Sequence, residues 1–134
     1  SPQMNFFDAK IDIEDGKYVV KIGGITVVLS DDKQERLKAN DVKAQDVTLG
    51  VRPEHVDLVA NDAENAVGAT VDVSEMMGSE VHLHLSVLGK DAIIIVPTLD
   101  LESANFDMGQ NVAFTFGGNV AHIFSKETEK NLEF

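Results

Sequence analysis

The sequence predicts an all-β chain, a barrel or sandwich of roughly nine or ten short strands with little helix. Three observations carry that prediction. Apolar residues recur with period two over most of the chain, turn-forming steps interrupt them at short intervals, and only three brief segments read as helix or helical turn.

Phe7, Ala9, Ile11 and Ile13 alternate with Asp8, Lys10 and Asp12, the pattern of a half-buried strand. Asp15-Gly16 is a strong hairpin signal. Tyr18–Ile22 forms the return strand, Gly23-Gly24 turns again, and Ile25–Leu29 makes a third strand, so the chain opens as a meander. In residues 30–40, Ser30 or Asp31 can cap, acidic groups fill a first turn and Asn40 can close it. Only Leu37 and Ala39 are apolar there, and a short exposed helix and an irregular loop both fit. Asp46–Val51 is a strand. Pro53 lacks an N–H and biases Arg52 away from helix, so Pro53-Glu54-His55 reads as one helical turn before Val56–Val59. Residues 60–66 have loop composition. Val67–Met76 is a strand with Val71 and Val73 expected inward, ended by Met77-Gly78-Ser79. Val81, Leu83, Leu85 and Val87 alternate with His82, His84 and Ser86. Gly89-Lys90-Asp91 is expected to turn the chain into Ala92–Val96, Leu99–Phe106 to form a short helix, and Met108-Gly109-Gln110 to turn. Val112, Phe114 and Phe116 share a face, Gly117-Gly118-Asn119 breaks it, and Val120–Phe124 is a last strand before a polar tail.

The chain has 134 residues, one domain's length and enough to bury a core without covalent staples. It has no cysteine, which removes disulfides and thiolate metal sites. The longest apolar run, Ala92–Val96, is far shorter than the ~20 residues of a membrane-spanning helix. A net charge of −12, from 23 acidic and 11 basic residues, is repelled by phosphate backbones and anionic lipid. Neither nucleic acid nor direct membrane insertion is expected. The opening SPQMNFF is unlike a natural start, and an excised fragment of a longer protein is expected.

Residues with chemical potential are few. His82 and His84 lie two apart on one strand, so both imidazoles point to one face. Two ligands at that spacing could hold a metal, but the sequence indicates no third, and the alternation is already satisfied by a Val/Leu core face with the histidines outside. No metal site is therefore assigned. No serine sits in a nucleophile-elbow context, so no catalytic residue is assigned either. The phosphate-binding patterns GxxxxGK[ST] and GxGxxG are absent. Gly23-Gly24 and Gly117-Gly118 read as turns that need positive φ or close approach. Arg52 is one of only two arginines. Its five-donor fork suits a carboxylate or several carbonyls, and a structural clasp joining two strands is favoured over a ligand or partner contact.

Gly50-Val51-Arg52-Pro53-Glu54-His55 resembles the GIRPEH signature of one family, the transport-associated OB (TOBE) domain. This is the C-terminal domain of the ATP-binding subunits of ABC-type carbohydrate importers, with the maltose and glycerol-3-phosphate transporter ATPases as its best-known members. Other segments agree in order. SPQMNFF is similar to GSPxMNF, residues 75–80 to the turn E-x-L-G-S/N-E, Met108-Gly109-Gln110 to the entry of the penultimate strand, and His122-Ile123-Phe124 with Glu127-Thr128 to the closing H-L-F-D-x-E-T-G. Ser125 stands where the family often has Asp, and Glu129 where it often has Gly.

The resemblance implies an OB-type small barrel, in one or two lobes with one or two short helices, over a single regulatory domain, residues 1–134. It implies a non-catalytic domain without cofactors of its own, ATP and Mg belonging to the upstream part of the parent. It implies a domain that tethers two ATP-binding subunits, reaches the membrane subunits through the parent, and in some members receives a phosphotransferase-system regulator. The expected location is cytoplasmic, peripheral on the inner face of the membrane. Arg52, Pro53 and Glu54 are then architectural, and Glu75, Gly78 and Glu80 lie on a regulatory surface. Phe124, beside His122, stands near the subunit contact, where an interface anchor and a core phenylalanine fit equally. The alternative is a small-ligand or oxyanion-sensing OB-type module of another ABC importer, which would need converging basic donors.

Overall fold

The computed structural model describes residues 3–101 and 105–134. Ser1 and Pro2 of SPQMNFF, and 102–104 of the expected 99–106 helix, lie outside the described residues. The order is β1 (Asn5–Glu14), β2 (Lys17–Ile22), β3 (Ile25–Val28), α1 (Asp31–Ala39), β4 (Gln45–Val51), a 3₁₀ turn (Pro53–His55), β5 (Asp57–Val59), β6 (Val67–Met77), β7 (Glu80–Val87), β8 (Lys90–Pro97), a 3₁₀ turn (Thr98–Asp100), β9 (Asn111–Thr115) and β10 (His122–Ser125). The all-β prediction holds, with ten strands among the described residues in two five-stranded antiparallel sheets. The chain forms two compact units, one from the described residues of Ser1–Asn5 and Arg52–Thr115, the other from Phe6–Val51 and Phe116–Phe134.

The unit of Phe6–Val51 and Phe116–Phe134 is built on the sheet β10-β4-β1-β2-β3. Its first hairpin closes between Glu14 and Lys17, and Asp15 (φ 52°) with Gly16 (φ 78°) takes the two positive dihedrals a type I′ turn requires. Ile11, Val20, Val47, Leu49, Val51 and Ile123 are completely buried, each hidden apolar side chain contributing roughly 1.5–3 kcal/mol of transfer free energy. Residues 31–39 are helix rather than loop. Leu37 supplies the completely buried anchor of α1, while Ala39 is exposed. Gln34 clamps α1 to the meander, its Nε2 donating to the Tyr18 carbonyl at 2.7 Å and its Oε1 accepting the Tyr18 N–H at 2.7 Å. At Gly118 the reason for glycine is close approach, since a Cβ there would stand 2.0 Å from the Val28 carbonyl oxygen.

The polar tail is structured. The Ser125 N–H donates to Lys130 O at 2.9 Å, and the Leu132 N–H donates to Ile123 O at 2.9 Å. Asn131 thereby bridges Phe124 and covers the edge of β10, as an exposed strand edge requires.

The unit of Arg52–Thr115 is built on the sheet β5-β9-β6-β7-β8. Val81, Leu83, Leu85 and Val87 face inward as expected, with Ile94, Val67 and Phe114. Val73 does not. Pairing steps from Val71↔Leu85 to Val73↔His84, leaving Asp72 as the extra residue of a β-bulge. The extra residue shifts the two-residue period, so Val71 is buried and Val73 is 51% exposed. The turn at 107–110 braces the bulge: the Gly109 N–H donates to Val71 O at 2.7 Å and the Val71 N–H to Gln110 O at 2.9 Å. The β7–β8 turn lies at Leu88-Gly89, both with positive φ, rather than at 89–91, so β8 starts two residues before the expected Ala92. The helix expected over 99–106 is reduced among the described residues to the 3₁₀ turn Thr98–Asp100. Asn5 ties down the β8 edge, its side chain both donating to and accepting from the Ile93 backbone at 2.8 Å.

Candidate functional site

The corner GVRPEHV is made by backbone and proline. Arg52 is extended (φ −70°, ψ 146°), Pro53 is buried at the first position of the turn, and the His55 N–H donates to Arg52 O at 3.0 Å. The side chains of Arg52, Glu54 and His55 are exposed. Among the described residues the Arg52 guanidinium has no hydrogen bond or ion pair.

Glu75, Gly78 and Glu80 come together at the end of the β6–β7 hairpin. Register places Glu75 opposite His82 and Met77 opposite Glu80, with Gly78-Ser79 as the two-residue turn. The Ser79 carbonyl accepts the Thr98 N–H at 2.8 Å and its hydroxyl at 3.0 Å, which fixes the turn. Met76 and Met77 beside it are 62% and 51% exposed. His82 and His84 point outward, as the alternation required. His84 Nε2 is in close contact with Glu75 Oε1. His82 Nε2 is buried without a hydrogen bond and lies 3.6 Å from Glu80 Oε1.

Phe124 belongs to a surface rather than to the core. Its neighbours Ile123 and Ser125 are the buried residues of β10, and Phe124 is half-buried across from Thr48. Phe124 packs edge-to-face with Phe6, centroids 6.0 Å apart at 69°, and Phe6 is 49% exposed. Together with Thr48, Ser125 and Glu129 they line a depression of about 340 Å³. His122, two residues before Phe124 and paired with Gly50, shares that side of β10. Sequence reasoning missed Phe6, although adjacent residues on a strand point oppositely, so an inward Phe7 implies an outward Phe6.

The tail that carries Glu129 is anchored on α1. Glu133 and Lys33 are both 4% exposed and pair at 2.8 Å. Arg36 donates to Glu133 Oε1 from Nε at 3.0 Å and Nη2 at 2.7 Å, and to Asp32 Oδ2 at 3.1 Å. The hydrogen bond to Glu133 raises the Arg36 pKa. The Ser30 hydroxyl, and then Arg36, hold the Asp32 carboxyl down at about 2. Arg36 also stacks 5.3 Å over the Phe134 ring. No sequence period signals Lys33, Arg36 and Glu133, because they are joined across about a hundred residues.

A family model described as the TOBE domain matches residues 49–124, and one described as the MalK OB fold domain matches residues 1–56. The chain is 33% identical over 133 residues to the multiple sugar-binding transport ATP-binding protein MsmK of Streptococcus mutans, covering 96% of this chain and 33% of that protein. It is 30% identical over 134 residues to the oligosaccharides import ATP-binding protein MsmX of Bacillus subtilis, covering 96% and 34%. The chain thus spans about a third of the length of these curated relatives. Among solved structures, the cytoplasmic molybdate-binding protein ModG with molybdate bound is similar in fold, with a TM-score of 0.67 at 17% identity over 89% of this chain and 94% of that one. Among the described residues no helix is long and apolar enough to cross a membrane.

Proposed function

This chain belongs to the TOBE domain family, and from that premise we propose that it is the non-catalytic regulatory and tethering domain of the ATP-binding subunit of an ABC-type sugar importer. The observation that carries this reading is that nearly all of the chain aligns with a third of two proteins named as ATP-binding subunits for sugar uptake. In the parent, ATP and Mg bind upstream, the membrane subunits are reached through the ATPase part, and the location is the inner face of the cell membrane. The domain acts by contact. The Phe6–Phe124 surface, with His122 beside it, meets a second copy of the subunit and keeps the pair joined as the ATPase parts open and close. An apolar aromatic pair at half exposure suits that role, because burying it gains area that the free chain leaves in water. The hairpin end bearing Glu75, Gly78 and Glu80 receives a regulator of the phosphotransferase-system kind. Such a regulator inhibits only if it binds the open arrangement more tightly than the closed one.

Sedimentation equilibrium of the 134-residue chain, wild type against Phe124→Ala, tests the tether. Self-association that is lost in a still folded Phe124→Ala variant is the expected outcome. A wild-type chain that stays monomeric through micromolar concentrations overturns tethering by this surface.

The oxyanion reading draws on the fold shared with the molybdate-binding protein ModG. It is the weaker reading, because the depression that gathers Lys10 and Lys21 is also lined by Asp8 and Asp46. Lys21 is already paired with Glu14 at 2.5 Å and Asp12 at 3.5 Å. Donors neutralised in this way offer an anion little net attraction.

A further inference from the structure

We propose that the outer face of the β6–β7 hairpin binds one divalent transition-metal ion of the zinc class, with His82, His84 and Glu75 as its protein ligands and Glu80 beside them. His82 and His84 are two apart on β7, which puts both imidazoles on one face. The sequence indicates no third ligand, but the register supplies one. Glu75 lies directly opposite His82 across the ladder and contacts the Nε2 of His84. Directly opposed side chains start about 5 Å apart at Cβ, so one ion can reach donors on both strands.

The buried Nε2 of His82 gives a second, independent reason. It makes no hydrogen bond, and Glu80 Oε1 at 3.6 Å is too far to provide one. A buried polar atom left unpaired is costly, and an ion is one of the few partners that satisfies it. Glu75 and Glu80 are each 50% exposed at the side chain, so both can swing while the strands hold the histidines in place. In the conformation described no three of these donors yet surround a single point. Binding therefore replaces the Glu75–His84 contact by two bonds to the metal and draws His82 into the same shell. Two imidazoles and a carboxylate suit Zn²⁺ and its neighbours, whereas Ca²⁺ and Mg²⁺ prefer oxygen ligands alone. The ion would join β6 to β7 just beyond the bulge at Asp72 and stiffen the hairpin end that carries Met76, Met77 and Gly78.

Isothermal titration of the 134-residue chain with Zn²⁺, paired with NMR of the histidine ring protons, tests this. One saturable equivalent is expected, with the ring signals of His82 and His84 shifting together and those of His55 and His122 unmoved. His82→Ala, His84→Ala and Glu75→Gln should each weaken binding more than about a hundredfold, beyond what loss of an outer-shell partner alone does, and His55→Ala should not. These side chains lie on the outer face, so the variants should melt with wild-type cooperativity before zinc is added. Absence of saturable uptake, or uptake that moves His55 or His122 instead, overturns the proposal on the wild-type protein alone.

Discussion

Glu129 holds the left-handed backbone conformation, with φ at 63°, in the turn that starts the tail. That conformation costs a residue with a Cβ about 1–2 kcal/mol, while glycine brings its own smaller entropic cost. Glu129→Gly is therefore expected to stabilise the chain by about 0.5–1 kcal/mol in urea denaturation. The turn survives with glutamate because Ser125 Oγ accepts the N–H groups of Glu127 and Thr128 at 3.1 and 3.2 Å, the bonds an aspartate would accept there. Gly118→Ala should act in the opposite direction and more strongly, by at least about 2 kcal/mol, since its Cβ would collide with backbone at Val28 and Leu29 rather than with a movable side chain. At this scale the sequence spoke unevenly. It marked Gly118, because glycine is a local signal, whereas the tail turn was marked only by the family resemblance, which has Gly where Glu129 stands. It was silent on the contacts of Arg52, because a donor-rich side chain does not reveal whether its donors find partners.

The helix α1 and the tail form an element pair that no local pattern announces. Buried Lys33 has Glu133 as its ion-pair partner, so removing the carboxylate strands the ammonium in a desolvated site. Glu133→Gln is expected to cost about 3–5 kcal/mol by chemical denaturation, and Lys33→Met combined with Glu133→Leu to recover much of that loss. The Asp32 carboxyl adds a pH dependence at the same end of α1, beside Lys33. Its pKa is depressed from 3.8 to about 2 in the folded chain, so the stabilisation is fully present above the ordinary value. It is lost as pH falls from 3.8 towards 2. NMR titration of the Asp32 carboxyl checks this, and Ser30→Ala should move the midpoint back towards 3.8 more than loss of any other single partner does, since the Ser30 hydrogen bond is the largest cause. Nearly every strand was legible from period-two alternation, because one face of each is buried and the other wet. The bulge at Asp72 was not, since Val-Asp-Val reads as continued alternation, and the extra residue is revealed only by Gly109 and Gln110 bracing Val71 from a distant turn. The candidate hairpin end was legible as a turn, but its cross-strand partners were not, because register is fixed by pairing rather than by either strand alone.

Charge is unevenly divided over the whole molecule. Arg52–Thr115 holds 11 of the 23 acidic residues and only two basic ones, Arg52 and Lys90, for a net −9, and the rest of the chain nets −3. Two copies brought together through Phe6 and Phe124 each carry −12, so apolar burial at the contact works against long-range repulsion. Salt should decide how much of that repulsion is felt. Raising ionic strength from about 0.01 M to about 0.1 M shortens the screening length from about 30 Å to about 10 Å. The self-association constant is therefore expected to rise with salt, while Phe124→Ala removes association at both ionic strengths. Sedimentation equilibrium at the two salt concentrations checks this. Association that weakens as salt is added would mean that opposite charges join the copies, and the aromatic pair would then be exposed for another partner.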